Sequence, residues 1–354
     1  MESRGAAGLP ARPGCWRNSY NWREQERALN AFDQYTTGID GAPVHFLHVR
    51  SPEPAALPLI ITHGWPGSVA EFLQVLGPLT DPVRHGGEPA DAFHVVAPSI
   101  PGFGLSGPTP EVGWTAQRVS AAWTELMRRL GYDRYGAHGG DWGAVISRDI
   151  GRLDPEHVLG VHLTMLPSAV PTADLDPASL GDLSDAELDR IRIAQRRRQQ
   201  VQAEEMGYRI IQSTRPQTLA YALTDSPVGQ LGWIVEKFKQ WTDSADAPED
   251  AVDRDQLLTN VMLYWLTGTA GSSAALYYEV AHSDNAWGAP EESSATPTGV
   301  ASFGHDLSIP IRGLAEKGNN IVRWSEFEHG GHFAAMEAPE VLVDDIRALF
   351  RGLR

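Results

Sequence analysis

Cysteine is almost missing from this 354-residue chain: Cys15 is the only one. No disulfide can close within the chain, and a reducing compartment fits best. Long apolar runs are missing too. No stretch reaches the roughly 18 apolar residues of a membrane-spanning helix. The amino terminus, Met1-Glu2-Ser3-Arg4-Gly5, leads into Gly, Ala and Pro instead of an apolar signal core. Cations are in deficit, with 29 Lys and Arg against 45 Asp and Glu and a formal net charge of −16. Phosphate neutralisation needs clustered cations, which argues against a nucleic-acid partner. The one basic run, Arg196-Arg197-Arg198, reads as a solvated helix face. A cytoplasmic protein without a membrane partner is expected.

What remains is an ordinary globular composition, 42% hydrophobic and 21% charged, with 35 Gly and 25 Pro for turns. Residues 1–43 read as an amino-terminal arm, helix-bearing from Trp16 to Phe32. From residue 44 the grammar changes. Val44-His45-Phe46-Leu47-His48-Val49 alternates like a half-buried strand, and Leu57 to Thr62 is a short apolar run like a buried parallel one. A helix over 69–77, a strand at His94 to Ala97 and a helix from Thr115 to Leu130 follow, with Thr115 as N-cap. Strand and helix in alternation mean a mostly parallel sheet flanked by helices. The rhythm stops near Leu166 and gives way to helical segments such as 184–210 and 256–266. It resumes at Gly299 to Phe303, Ile321 to Trp324 and a closing helix from Pro339 to Leu349. The division is therefore an α/β core over 44–168 and 297–354 with a helical cap inserted at 169–296, whose helices would wall a pocket.

One motif misleads. Gly102-Phe103-Gly104-Leu105-Ser106-Gly107 satisfies the dinucleotide-binding pattern and follows a strand. That reading needs a helix to begin there, to face the pyrophosphate. Pro101, Pro108 and Pro110 forbid it, so a turn-rich loop is expected.

Gly139-Gly140-Asp141-Trp142-Gly143 lies between an apolar strand and a helix. Small residues flanking a nucleophile at this junction form a nucleophile elbow, here with Asp141 where serine usually stands. A carboxylate needs no base to attack and suits displacement at an sp³ carbon, giving an alkyl-enzyme ester. Taken alone, Asp141 is equally an N-cap after a glycine-rich turn. His63-Gly64-Trp65-Pro66 closes the earlier strand. In such a fold it would set the Trp65 amide opposite that of Trp142, as an oxyanion hole, although a plain proline turn reads the same way.

Near the carboxyl end, Glu328-His329-Gly330-Gly331-His332-Phe333 follows the last strand. Chain order nucleophile, acid, histidine calls for a base here, and two glycines give His332 more reach than His329. A metal site on this His pair has no Cys or carboxylate cluster to support it. Asp306, after Phe303-Gly304-His305, would orient His332, or else it is only a strand-end turn residue. The other place for this acid, Thr164 to Ser168, holds no carboxylate.

With these residues assembled, the sequence resembles the microsomal-type epoxide hydrolases of the α/β-hydrolase superfamily, including the juvenile-hormone epoxide hydrolases of insects. The matching stretches are His63-Gly64-Trp65-Pro66-Gly67-Ser68, Gly139 to Gly143, Gly330-Gly331-His332-Phe333-Ala334-Ala335, Asp225-Ser226-Pro227-Val228-Gly229 and Leu258-Thr259-Asn260-Val261-Met262-Leu263-Tyr264-Trp265. The similarity runs from about Trp16 to the carboxyl terminus. It implies that two cap tyrosines protonate the epoxide oxygen: Tyr208 in Glu205-Met206-Gly207-Tyr208, and Tyr277 in Ser272-Ser273-Ala274-Ala275-Leu276-Tyr277, with Tyr278 as the alternative. Without the family, both are simply core aromatics. Two departures stand out. Membrane-bound relatives carry an amino-terminal anchor, which this chain lacks, so a soluble form is expected. Asp306 stands where the mammalian pattern, Phe-Pro-x-Glu, has the longer acid.

The resemblance implies a vicinal diol made through an Asp141 ester that His332-activated water then cleaves, with no metal or organic cofactor. Trp233, Phe238, Trp241, Tyr264 and Trp265 suggest an apolar or aromatic epoxide. Whether the chain pairs into a homodimer is not legible. The rivals are a dehalogenase, in which Trp65 and Trp142 would bind halide, and a non-catalytic receptor on the same scaffold. An ester hydrolase is disfavoured by Asp141 itself.

Overall fold

The computed structural model describes residues 13–181, 183–284 and 292–354. Among them the strands form one sheet of eight: β1 Gln34–Ile39, β2 Ala42–Val49, β3 Leu57–Thr62, β4 Phe93–Pro98, β5 Tyr135–Gly139, β6 Val158–Leu163, β7 Ser294–Phe303 and β8 Asn319–Phe327. Their order is β1-β2-β4-β3-β5-β6-β7-β8. β1 and β2 run antiparallel to each other, β2 runs antiparallel to β4, and all later pairings are parallel. The mostly parallel sheet expected from the alternating pattern is present.

The central strands are apolar because both faces are covered. Leu59, Ile60 and Ile61 of β3 are fully buried, and Ile60 belongs to one core cluster while its neighbours belong to the other. β2 departs from the half-buried reading, since His45, Phe46, Leu47 and His48 are all buried. The reason is the same: Val44 and Phe46 pack on one side of the sheet and Leu47 on the other. Its two histidines find partners, His45 with Ser99 and Gln34 and His48 with Tyr132. β1 lies within the arm and was not anticipated. Asp40 and Gly41, both at positive φ, turn β1 into β2 with Ile39 opposite Ala42, as an Asp-Gly hairpin does.

Thr115 caps the helix Ala116–Arg129 by accepting from the Arg118 amide, as expected. The glycine-rich loop at 102–107 is indeed a turn. Gly102, Gly104 and Gly107 have positive φ, and only a short 3₁₀ turn, Gly104–Ser106, lies within it. Between β6 and β7 no strand occurs among the described residues. Helices occupy that stretch instead, including Asp185–Gln200, Gly207–Thr214, Pro227–Trp241, Arg254–Thr267 and Ala270–Ala281. No helix among the described residues is long and apolar enough to cross a membrane.

Candidate active site

The parallel register brings the ends of β3 and β5 level, with Thr62 opposite Gly139. The loops that follow therefore meet at the carboxyl edge of the sheet, where open α/β sheets carry their sites. Asp141 begins the helix Trp142–Leu153 with φ 50° and ψ −127°. A non-glycine residue held in the left-handed half of φ space costs about 1–3 kcal/mol, and such strain concentrates at functional sites. The surrounding glycines are obligatory. A Cβ on Gly139 would stand 2.1 Å from the Gly143 carbonyl oxygen, and one on Gly143 would stand 1.8 Å from the Thr62 carbonyl oxygen.

The Trp65 amide donates to Asp141 Oδ1 at 2.8 Å. Trp142 heads its helix, the end at which the helix dipole favours negative charge. On the other carboxylate oxygen, His332 Nε2 lies 3.4 Å from Asp141 Oδ2. His332 Nδ1 meets Asp306 Oδ1 at 2.7 Å, and the Leu307 amide donates to the same oxygen at 2.6 Å. Asp141, His332 and Asp306 thus stand in line, the last two buried. His329 is highly exposed and turned to Asp243 instead, as the two intervening glycines suggested. Burial opposes a charge on His332, but the Asp306 and Asp141 carboxylates outweigh it and push the imidazole up to about 10.

Both tyrosines are brought to this site. Tyr208 and Tyr277 are buried, with hydroxyls in hydrogen-bond contact with each other. Tyr208 stacks on Trp65 with ring centres 5.0 Å apart, and Tyr277 meets Trp142 edge-on at 4.9 Å. The Tyr277 hydroxyl also accepts from the Trp142 side chain. Burial, then nearby negative charge, holds both phenols above their usual range. Tyr278 faces away, partly exposed and stacked on His282.

A cavity of about 1060 Å³ opens beside these groups, lined among others by Asp141, Trp142, Tyr208, Tyr277, Met165 and Leu166. The aromatics from which an aromatic substrate was expected are not part of that lining. Phe238 stacks on Phe333, Trp241 packs against Tyr208 and His332, and Trp233 donates to Gln212. Phe238 and Trp241 pack against the loop of His332, and the cavity lining mixes apolar side chains such as Val145, Met165, Leu166 and Val280 with charged ones such as Arg148, Arg198 and Arg209.

Several supporting residues were not foreseen. Arg197 is not the solvated cation that its run suggested. It pairs with buried Glu205 at 2.8 Å and donates to the Asp306 and Gln240 carbonyls, because it shares a helix face with buried Ile191, Ala194 and Val201. That helical spacing was the available signal. A π-helical turn, Val201–Glu205, ends on Glu205, which also accepts from the Trp241 side chain at 3.2 Å. Glu337 accepts from the Phe333 and Asp243 amides and so braces the loop of His332, whose own amide donates to Trp241. Glu71 is buried near the carboxylate and the imidazole, and desolvation raises it to about 8.

Comparison with known proteins shows the family of the chain. The profile described as epoxide hydrolase N terminus matches residues 12–72, and that of the alpha/beta hydrolase fold matches 58–339. A putative epoxide hydrolase of Stigmatella aurantiaca is 44% identical over 343 residues, covering 96% of this chain and 74% of that protein. Epoxide hydrolase 1 of Sus scrofa is 36% identical, covering 96% and 78%. Among solved structures, the juvenile hormone epoxide hydrolase of the silkworm Bombyx mori superposes with a TM-score of 0.84 at 29% identity, covering 96% of this chain and 83% of that one. The epoxide hydrolase of Aspergillus niger gives 0.80 at 30%, with the same coverage. The chain belongs to the epoxide hydrolase family of the α/β-hydrolase fold.

Proposed function

We propose that this chain converts an epoxide to a vicinal diol in two steps through an ester on Asp141, with the inserted helices at 169–296 acting as the cap. The observation that carries the reading is the pairing of Tyr208 and Tyr277 in the cavity that Asp141 also lines, with His332 3.4 Å from that carboxylate and 2.7 Å from Asp306. In the first step Asp141 attacks an epoxide carbon. The ring C–O bond breaks, and the freed oxygen takes a proton from a tyrosine hydroxyl. Phenols held above their ordinary range stay protonated until that oxygen demands a proton. Acid assistance of this kind contributes about 10²–10⁴-fold.

The second step follows from the electrostatics of the first. While Asp141 is a carboxylate, its charge helps keep His332 protonated and unable to act as a base. Esterification removes that charge, so the imidazole holds its proton less tightly and gives it up to the tyrosine phenolate left by ring opening, and burial then favours neutral His332. Neutral His332, oriented by Asp306, takes a proton from water, and the hydroxide adds to the ester carbonyl. The Trp65 amide, already on Oδ1, holds the oxyanion together with the Trp142 amide. Collapse breaks the bond to the alkyl oxygen, which takes the proton of the newly formed carboxylic acid, so the diol leaves with Asp141 again a carboxylate and His332 again protonated. Val145, Met165, Leu166 and Val280 offer an apolar epoxide contact within a lining that also carries charge.

The dehalogenase alternative would use Trp65 and Trp142 to hold halide. Here Tyr208 covers the Trp65 ring and Tyr277 engages Trp142, which favours a basic oxygen at that place. The test is intact-protein mass spectrometry of a His332→Gln variant mixed with styrene oxide. An adduct of the whole epoxide mass, lost on further change of Asp141→Ala, is expected. An alkyl adduct from a haloalkane alone would install the dehalogenase. Absence of any adduct, with no diol from the unaltered protein, would favour the receptor.

A further inference from the structure

The segment from Leu258 to Trp265 helps mark the family resemblance, yet neither chemical step above uses its side chains. It lies in the helix Arg254–Thr267. Two of its polar residues, Asn260 and Tyr264, have no solvent exposure at all. Polar groups so placed are costly unless hydrogen-bonded, and every partner these two find lies in one short stretch. Asn260 Nδ2 donates to the Pro66 carbonyl at 2.7 Å, and Asn260 Oδ1 accepts from Ser68 Oγ at 2.7 Å. The Tyr264 hydroxyl donates to the Gly67 carbonyl at 2.6 Å. Ser68 Oγ in turn accepts from the Ala70 amide at 3.2 Å.

Three consecutive residues of the loop after β3 are therefore held by one inserted helix. The residue just before them is Trp65, whose amide sits on Asp141 Oδ1. Close packing leaves this loop little slack, since a Cβ on Gly67 would fall 1.2 Å from Glu71 Oε1. We propose that Asn260 and Tyr264 are positioning residues that fix the Trp65 amide, and that they act chiefly in ester hydrolysis. This rests on the function proposed above.

The asymmetry between steps follows from where charge goes. In ring opening, negative charge leaves the Asp141 carboxylate, so a displaced amide costs little. In hydrolysis, charge builds on Oδ1, where the amide points. A donor held within about 0.5 Å of its productive place does its work without reorganisation. Without the clamp, the Pro66 and Gly67 carbonyls would be buried unpaired and would shift toward other donors, taking the Trp65 amide with them.

Tyr264→Phe removes one hydroxyl and keeps the ring. Rapid-quench single turnovers with styrene oxide, with ester followed by intact mass, separate the two rates. Expected is ring opening within about twofold of the unaltered protein and ester hydrolysis slower by roughly 10- to 100-fold, less than the ~10²–10³ for an oxyanion donor removed outright. Ser68→Ala tests the same clamp from the loop side and should show the same split, which keeps the proposal testable should Tyr264→Phe fold poorly. Equal slowing of both steps, or unchanged hydrolysis in a folded variant, would overturn the proposal. Should the His332→Gln variant form no ester at all, the two-step reading itself fails, whatever Tyr264→Phe does.

Discussion

Asp306→Asn removes one negative charge from beside His332 and changes little else in shape. The two groups are 2.7 Å apart at their nearest atoms and both are buried, so solvent screens them poorly. With charge centres about 4 Å apart and an effective dielectric constant of ~20, the attraction is about 4 kcal/mol, or about three pH units of imidazole basicity. In the ester intermediate Asp141 no longer carries charge, so Asp306 is then the carboxylate supporting His332 against the desolvation that disfavours its charged form. Loss of Asp306 should therefore weaken the base when it is needed. The asparagine amide oxygen can still accept from Nδ1, which preserves the tautomer. The effect should fall at the lower end of the ~10²–10⁴ worth of general-base assistance, about 10²-fold on ester hydrolysis. Ring opening, which asks nothing of His332 as a base, should keep its rate. Rapid-quench measurement with styrene oxide should show one equivalent of ester formed quickly and then persisting. Asp306→Glu should recover part of the loss, since it restores the charge at the cost of one methylene. A variant in which both phases slow together, or in which diol appears at the unaltered rate, would refute the role given to Asp306.

The tyrosine pair offers a sharper contrast than a deletion. Tyr277→Phe or Tyr208→Phe should slow ring opening by about 10²-fold or more, whereas Tyr278→Phe, partly exposed beside His282, should leave diol formation unchanged in a steady-state assay. Stability against pH tests the charge on His332. Its folded value of about 10 lies above the ordinary 6.5, so the folded state keeps a proton that the unfolded state has lost, and stability falls as pH rises toward 10. Glu71, raised from 4.5 to about 8, acts in the same direction below pH ~8. Between about pH 8.5 and 9.5, the His332 proton should contribute a fall of about 1.4 kcal/mol per pH unit to the unfolding free energy measured by urea titration. His332→Gln should flatten that slope, and an unchanged slope would mean that His332 is neutral in the folded protein.

What was legible in the sequence was whatever local geometry forces on residue choice. The elbow demands glycines because a methyl at Gly139 or Gly143 would strike backbone oxygen, so the pattern around Asp141 could be read without knowing the fold. The reach given by Gly330 and Gly331 separated His332 from His329 for a similar reason. The Asp40-Gly41 turn carried a signal just as local, and β1 was missed only because its residues are mostly polar at a sheet edge.

The supporting shell was hidden because its partners are far apart in the chain. Asn260 looks like any polar residue in an apolar helix until the sheet brings Pro66 and Ser68 beneath it, 194 and 192 positions away. Arg197 looked solvated because charge is the stronger prior, yet its helix turns that face onto Glu205 and the Asp306 carbonyl. The aromatic residues misled in the opposite sense, since large rings in an inserted block read as pocket walls. Trp241 and Phe238 instead fill the space behind His332 and Phe333, and Met165 and Leu166 are among the residues that line the cavity with Asp141. Reacting groups can be recognised one at a time because chemistry restricts their identity. The groups that hold them are restricted only by who their neighbours are, and that information exists only once the chain has folded.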